Sequence, residues 1–248
     1  MAINAVKNSS PSPAIAILIP AFNEGAVIAD VVRSIRAACD YPVVVIDDAS
    51  TDDTVAEARQ AGATVIPLAI QLGAWGATQT GLRYVLRNGF DVAITMDGDG
   101  QHEAKYLDTL IQPVAQGVAD VAIGACSGRG SVMRRIAWIM MKQASGLSLE
   151  DITSGFRVYN RKAIRKLASW QATLLDYQDI GVLLLLQSQG ITIVDVEVSM
   201  LPRSNGKSRI FYSWGMVMYY MFHTLLLGLS KRKVTRRYRS PQLLSQMR

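Results

Sequence analysis

Short apolar runs alternate with amphipathic stretches through the first half of the chain. Residues 14–19, 43–46, 64–68 and 91–96 are predominantly apolar with little polar alternation, the pattern of strands buried on both faces of a parallel sheet. A fifth run at 120–123 is similar. Between them, 26–38, 54–61, 73–86 and 105–116 carry helical periodicity, the third opening in a glycine-rich segment. Strands and helices alternating at this spacing predict an α/β, doubly wound architecture. The second half is less regular. Helices are expected at 131–144, 161–169 and 179–189, an extended or turn segment at 152–159, and a strand at 191–198. A basic loop, 202–209, then leads into 210–229, twenty residues without a formal charge.

Ligands of such sheets bind outside the carboxyl ends of the strands. Three of those ends carry acids: Glu24 after the first run, Asp47 and Asp48 after the second, Asp97 and Asp99 after the fourth. Two carboxylates one residue apart can share a hard divalent cation with a diphosphate. Gly98 between them lets a ligand approach the backbone, because it has no Cβ. The same Asp-Gly pair could simply end a strand in a turn. A dinucleotide site would put G-x-G-x-x-G after the first strand. Residues 20–24 read Pro-Ala-Phe-Asn-Glu instead, which argues against an oxidoreductase.

With 248 residues the chain can bury one large core. Half its residues are hydrophobic, which is high for a freely soluble protein. Cys39 and Cys126 match no metal spacing and read as free thiols of a reducing compartment. Residues 1–13 are polar and lack a basic start leading into an apolar core, so a disordered leader is expected there and not a signal peptide. The net charge of +6 is unevenly placed. All 20 acids but only 16 of the 26 Lys and Arg lie before residue 198, leaving that body at −4 and the remainder with ten bases and no acid. A basic end on an acidic body predicts a directed contact with anionic lipid or nucleic acid.

Six segments together resemble the inverting glycosyltransferase family 2, and most closely its polyprenyl-phosphate hexosyltransferases, the dolichyl-phosphate mannose synthase group. They are I-P-A-F-N-E (19–24), V-I-D-D-A-S-T-D-D-T (45–54), L-G-A-W-G-A-T-Q-T-G-L (72–82), M-D-G-D-G-Q-H (96–102), D-I-T-S-G-F-R-V-Y (151–159) and P-R-S-N-G-K-S-R (202–209). The resemblance implies a GT-A fold: a Rossmann-like mixed, mostly parallel sheet with helices on both faces, spanning 14–209, plus a membrane-associated C-terminal helix and basic tail in 210–248. It implies that Pro20, Phe22 and Glu24 line the base and ribose pocket, with Ile46 and Asp48 on the nucleobase side. Asp97, Asp99 and Gln101 would hold Mg²⁺ or Mn²⁺ against the diphosphate, with Gly98 between them and Arg129 as a further donor contact. Arg203, Lys207 and Arg209 would grip phosphate, Arg209 standing where the family usually has lysine. Plainer roles stand beside these. Asp47, Ser50 and Asp52 are good helix-capping residues, residues 154–157 could be a turn with Arg157 in a structural ion pair, and Lys207 could be merely solvated. His102 fits a capping or supporting role better than a ligand role, and His223 a packed or interfacial one.

The departures fall at the sugar end. Gln71 replaces the family's usual asparagine, and Trp75 stands where glycine is common, which would reshape the sugar pocket. Glu103-Ala104 replaces a common Asp-Pro. Asp179 sits where hydroxyl-accepting relatives carry a catalytic base, because a sugar hydroxyl must lose its proton during attack. A lipid phosphate is already anionic, so Asp179 is open between base, substrate contact and structural acid. The expected activity is hexose transfer from a UDP- or GDP-linked sugar to a polyprenyl phosphate for cell-surface glycan. The alternatives are extension of a lipid-linked glycan at a hydroxyl, and a non-catalytic nucleotide-binding subunit of a membrane complex.

Residues 210–229 are long enough to span a bilayer, yet their Tyr, Trp and His content suits its interface. A single span would also put the bases at 231–239 on the far side from a cytosolic catalytic body, against the positive-inside rule. A peripheral or monotopic placement on the anionic cytoplasmic face is therefore expected, with no nucleic acid partner. Longer relatives add transmembrane helices beyond this point. A small membrane-protein partner, or a homo-oligomer formed through 210–229, is the expected substitute.

Overall fold

A computed structural model of the chain describes residues 13–126, 149, 151, 153–175 and 180–201. Its elements run β1 (Ile15–Ala21), α1 (Ile28–Ala38), β2 (Val43–Asp47), α2 (Thr54–Gln60), β3 (Thr64–Pro67), α3 (Gly73–Arg87), β4 (Val92–Thr95) and, after a short 3₁₀ turn, α4 (Leu107–Ala115). Then follow β5 (Val121–Ala125), β6 (Arg157–Asn160), α5 (Arg161–Leu167), α6 (Trp170–Thr173), α7 (Ile180–Ser188) and β7 (Ile193–Glu197). The strands form one seven-stranded sheet in the order β3-β2-β1-β4-β6-β5-β7.

The apolar runs become strands because both sheet faces are covered. In β1, Ala16 and Leu18 join a cluster with α3, α5 and α7, while Ile15, Ile17 and Ile19 join one with α1 and α4. Successive side chains point to opposite faces, so only a run apolar at every position satisfies both layers. Gly81 lets α3 lie close on this sheet; a Cβ there would stand 2.8 Å from Ile46 Cδ1 and 3.1 Å from a Leu18 methyl.

The expected mixed, mostly parallel sheet is present, but 152–159 does more than turn. Residues 157–160 enter the sheet between β4 and β5, antiparallel to both. The expected helix at 161–169 is α5, which ends at Leu167, and a further short helix, α6, follows Ser169. Among the described residues no helix is long and apolar enough to cross a membrane. Residues 1–12 of the expected 1–13 leader, the helix at 131–144, the 210–229 stretch, His223 and the basic tail lie outside the described residues.

The end of the sheet away from the strand carboxyl termini is tied by Asp120. Its carboxylate accepts from Lys162 Nζ at 2.8 Å, Asn160 Nδ2 at 2.8 Å and the Thr192 backbone N–H at 2.9 Å. Burial pushes this carboxyl up, but the Lys162, Thr192 and Asn160 donors outweigh it and hold it below the usual carboxylate value. A depressed folded value stabilises the fold above the unfolded pKa and is lost as pH falls through the folded one. Asp120→Ala is therefore expected to cost on the order of 2–3 kcal/mol at pH 7. In urea titrations the gap between wild type and variant should close below about pH 4.

Candidate active site

The strand-end loops of β1 and β2 are knitted into one rim. Asn23, in the left-handed region at φ 53°, donates its N–H to Ser50 Oγ at 2.9 Å and accepts from Thr51 N at 2.8 Å. The Glu24 N–H donates to Thr54 Oγ1 at 2.9 Å and the Gly25 N–H to Asp52 at 3.0 Å. Asp52 also takes the Thr54 hydroxyl and N–H, so it starts α2 and holds the β1 loop at once. Ala49 is left-handed as well, at φ 62°, which costs a residue with a Cβ roughly 1–2 kcal/mol. Pro20, Phe22 and Glu24 are half-buried along this rim. Ile46 is fully buried against α3 and reaches the rim only through the residues that follow it.

Those two residues divide the work. Asp48 accepts from the N–H groups of Leu72 (2.6 Å) and Gly73 (2.9 Å), bridging β2 to the start of α3. A carboxylate there satisfies otherwise unpaired donors and faces the positive end of the helix dipole. Asp47 is 2% exposed; its Oδ2 accepts from Ser50 N at 3.3 Å, while its Oδ1 has no hydrogen-bond partner. A buried, unpartnered carboxylate oxygen at a strand end is costly without a ligand. Capping chemistry explains only half of Asp47, whose other oxygen stands at one of the acid-bearing strand ends where ligands of such sheets bind.

Beyond β4, the Asp97–His102 turn builds the second wall. Asp99 is 7% exposed and accepts the Gln101 N–H at 3.1 Å, whereas the Asp97 side chain is 43% exposed and faces outward. Gln101 is tied to the segment after β7: its Nε2 donates to Leu201 O at 3.3 Å, and its backbone carbonyl accepts the Leu201 N–H at 2.9 Å. His102 is buried and supports Asp97. Its Nδ1 accepts the Asp97 N–H at 3.0 Å, and its Nε2 lies 3.5 Å from Asp97 Oδ2. The ring is stacked on Phe156 with centroids 5.0 Å apart.

Residues 154–157 close the back of this wall. A Cβ at Gly155 would stand 2.3 Å from Asp97 Oδ1 and 2.9 Å from its Cγ, so the carboxylate occupies the space a side chain would need. The turn cannot easily retreat. Thr95 Oγ1 donates to Gly155 O at 2.7 Å, and the fully buried Arg157 donates from Nε to Ser154 O at 2.7 Å. The donor set fits a hard cation: two carboxylates and one amide within five residues, one carboxylate seated in a glycine cradle. No group of three His, Cys, Asp or Glu able to hold a metal occurs among the described residues. Such a set suits Mg²⁺ or Mn²⁺, which take one or two carboxylates and complete their shell with phosphate and water.

Trp75 does not line a sugar pocket. It is 4% exposed in the core, and its indole N–H donates to Ala172 O at 2.8 Å. Trp75, Thr78, Leu82 and Val85 form the buried stripe of α3. Arg129, Asp179, Arg203, Lys207 and Arg209 lie outside the described residues.

The family model for glycosyl transferase family 2 matches residues 16–168, well over half of the chain. The chain belongs to glycosyl transferase family 2. Among curated relatives of this transferase, polyprenol monophosphomannose synthase of Mycolicibacterium smegmatis is 28% identical over 81% of the chain and 82% of the relative. Undecaprenyl-phosphate mannosyltransferase of Micrococcus luteus is 28% identical over 87% of the chain and 94% of the relative. Among solved structures, glucosyl-3-phosphoglycerate synthase of Mycobacterium tuberculosis, in complex with Mg²⁺ and uridine diphosphate, superposes with a TM-score of 0.68. It covers 88% of the chain and 80% of the synthase at 21% identity, a likeness of fold alone.

Proposed function

We propose that this family 2 transferase moves a hexose from a nucleotide diphosphate sugar to a polyprenyl phosphate, with Mg²⁺ or Mn²⁺, at the cytoplasmic face of a membrane. The observation that carries the reading is the Asp97–Asp99 pair cradled by Gly155 at the carboxyl end of β4. The similarity to two polyprenyl-phosphate mannosyltransferases over most of their length supports the acceptor. Pro20, Phe22, Glu24 and Asp47 line the donor side, and Asp48 shapes it by holding α3. Asp97, Asp99 and Gln101 would hold the cation, which when bound stabilises charge on the departing nucleoside diphosphate.

The bond broken joins the anomeric carbon to the diphosphate. The bond formed joins that carbon, from its opposite face, to an oxygen of the lipid phosphate. Arg203, Lys207 and Arg209 are assigned to the phosphates by charge, and Arg129 to the donor. An anionic phosphate nucleophile has no proton to give up, so no general base is required and Asp179 serves as a contact or structural acid. We assign the transferase domain to 14–209 and the membrane-associated segment to 210–248.

Thin-layer analysis with radiolabelled donors tests this. The expected product is a mild-acid-labile monosaccharide lipid, with transfer by Asp179→Asn within about ten-fold of wild type, because loss of a true general base removes roughly 10²–10⁴. If Asp179→Asn keeps donor binding but loses turnover, the acceptor is a sugar hydroxyl.

A further inference from the structure

Large exposed apolar side chains are concentrated at one end of the sheet. Of the six among the described residues, Val118 alone lies at the end where β5 begins; Ile70, Leu72, Trp170, Leu174 and Leu201 lie at the strand carboxyl ends, around the candidate site. Four of them belong to one side. Ile70 and Leu72 lead into α3, while Trp170 opens α6 and Leu174 follows it. The two elements are laced together by Gln79 Nε2 to Leu167 O at 2.8 Å, the Thr173 hydroxyl to Gln79 Oε1 at 3.0 Å, and the Trp75 indole to Ala172 O at 2.8 Å. With Arg83 Nη2 to Thr173 Oγ1 at 2.8 Å and Arg83 Nε to Ala168 O at 3.1 Å, these bonds hold residues 167–173 along α3 between Trp75 and Arg83. Trp170 and Leu174 are 70% and 74% exposed, although the neighbouring Ala172 is fully buried.

The exposed charge of α5 beside Trp170 is basic, and the acid at Leu72, Asp48, is 3% exposed and taken up by the Leu72 and Gly73 N–H groups. No Asp or Glu occurs in residues 58–90 or 160–175, the stretches that supply this side, whereas Arg165 and Lys166 are exposed just before Trp170. The sequence beyond Leu201 holds ten more bases and no acid. A tryptophan and aliphatic side chains beside bases are what a lipid headgroup boundary accepts.

We propose that the α3–α6 rim, formed by Ile70, Leu72, Trp170 and Leu174, docks this protein on an anionic bilayer and so turns the site mouth towards the lipid. The proposal rests on the polyprenyl phosphate reading for its purpose, and on exposure and charge for its location.

The test uses the full chain with phosphatidylglycerol–phosphatidylcholine vesicles whose acyl chains are brominated. The fluorescence difference between wild type and Trp170→Phe isolates Trp170. Quenching of that difference by about half or more is expected, since the indole would sit at the acyl boundary. Trp170→Glu with Leu174→Glu should weaken vesicle partitioning about ten-fold or more. The same variant should bind nucleoside diphosphate as wild type does and transfer to a short, water-soluble prenyl phosphate within about two-fold, because neither residue touches the cation or donor groups. An unquenched Trp170 overturns the proposal, as does a variant whose only defect is loss of self-association. If Trp170 is quenched but no prenyl phosphate is glycosylated, docking stands and the acceptor reading falls.

Discussion

Gly155→Ala is expected to weaken Mn²⁺ binding and to lower transfer by about 100-fold, the scale of a 1 Å misplacement of a reacting group. The new methyl would claim space 2.3 Å from Asp97 Oδ1. The backbone has little room to give, with Gly155 O held by Thr95 and Ser154 O by Arg157. The carboxylate is the movable partner, being 43% exposed, so it swings away from Asp99. Isothermal titration with Mn²⁺ reads the metal effect directly, and a thermal melt should show the fold retained. Gly98→Ala is the contrasting variant. A Cβ there meets nothing closer than Ile19 Cγ2 at 3.4 Å, so the protein alone tolerates it and any loss appears only with donor bound. Equal Mn²⁺ affinity in Gly155→Ala and wild type would remove Gly155 from the site.

Asp99→Ala should reduce transfer by about 10²–10³ or more, the usual range for losing one preorganised electrostatic partner of the transition state. Asp99 also accepts the Gln101 N–H inside the turn, so the alanine variant mixes lost charge with a disturbed loop. Asp99→Asn separates them. Its amide oxygen can still accept from Gln101 N while the charge is gone, so the melting temperature should hold and activity should not. Activity near wild type in the asparagine variant would assign Asp99 to the turn alone.

Much of this was legible because the chemistry is local. Apolar runs ending in acid-bearing turns locate β1, β2 and β4, and the ends of those strands are where the polar walls stand. What escaped the reading was non-local. β6 has a fully buried arginine at its start and only four residues, so nothing in 157–160 marks a strand threaded antiparallel through the sheet. The contact between Gly155 and Asp97 joins residues far apart in sequence, as does the clamp of Asp48 on Leu72 and Gly73. Trp75 is a different case. Its spacing with Thr78, Leu82 and Val85 follows the helical period of a buried face, so periodicity pointed to the core while family likeness pointed to the sugar.

The central claim is that the Asp97–Asp99 wall forms half of a cation site whose other half arrives with the donor. Electron paramagnetic resonance titration of Mn²⁺ into the full chain, with and without UDP or GDP, measures this directly. Weak binding that tightens about ten-fold or more with one nucleoside diphosphate is the expected result, since the diphosphate oxygens complete the shell. Mn²⁺ affinity that no nucleoside diphosphate changes would contradict it.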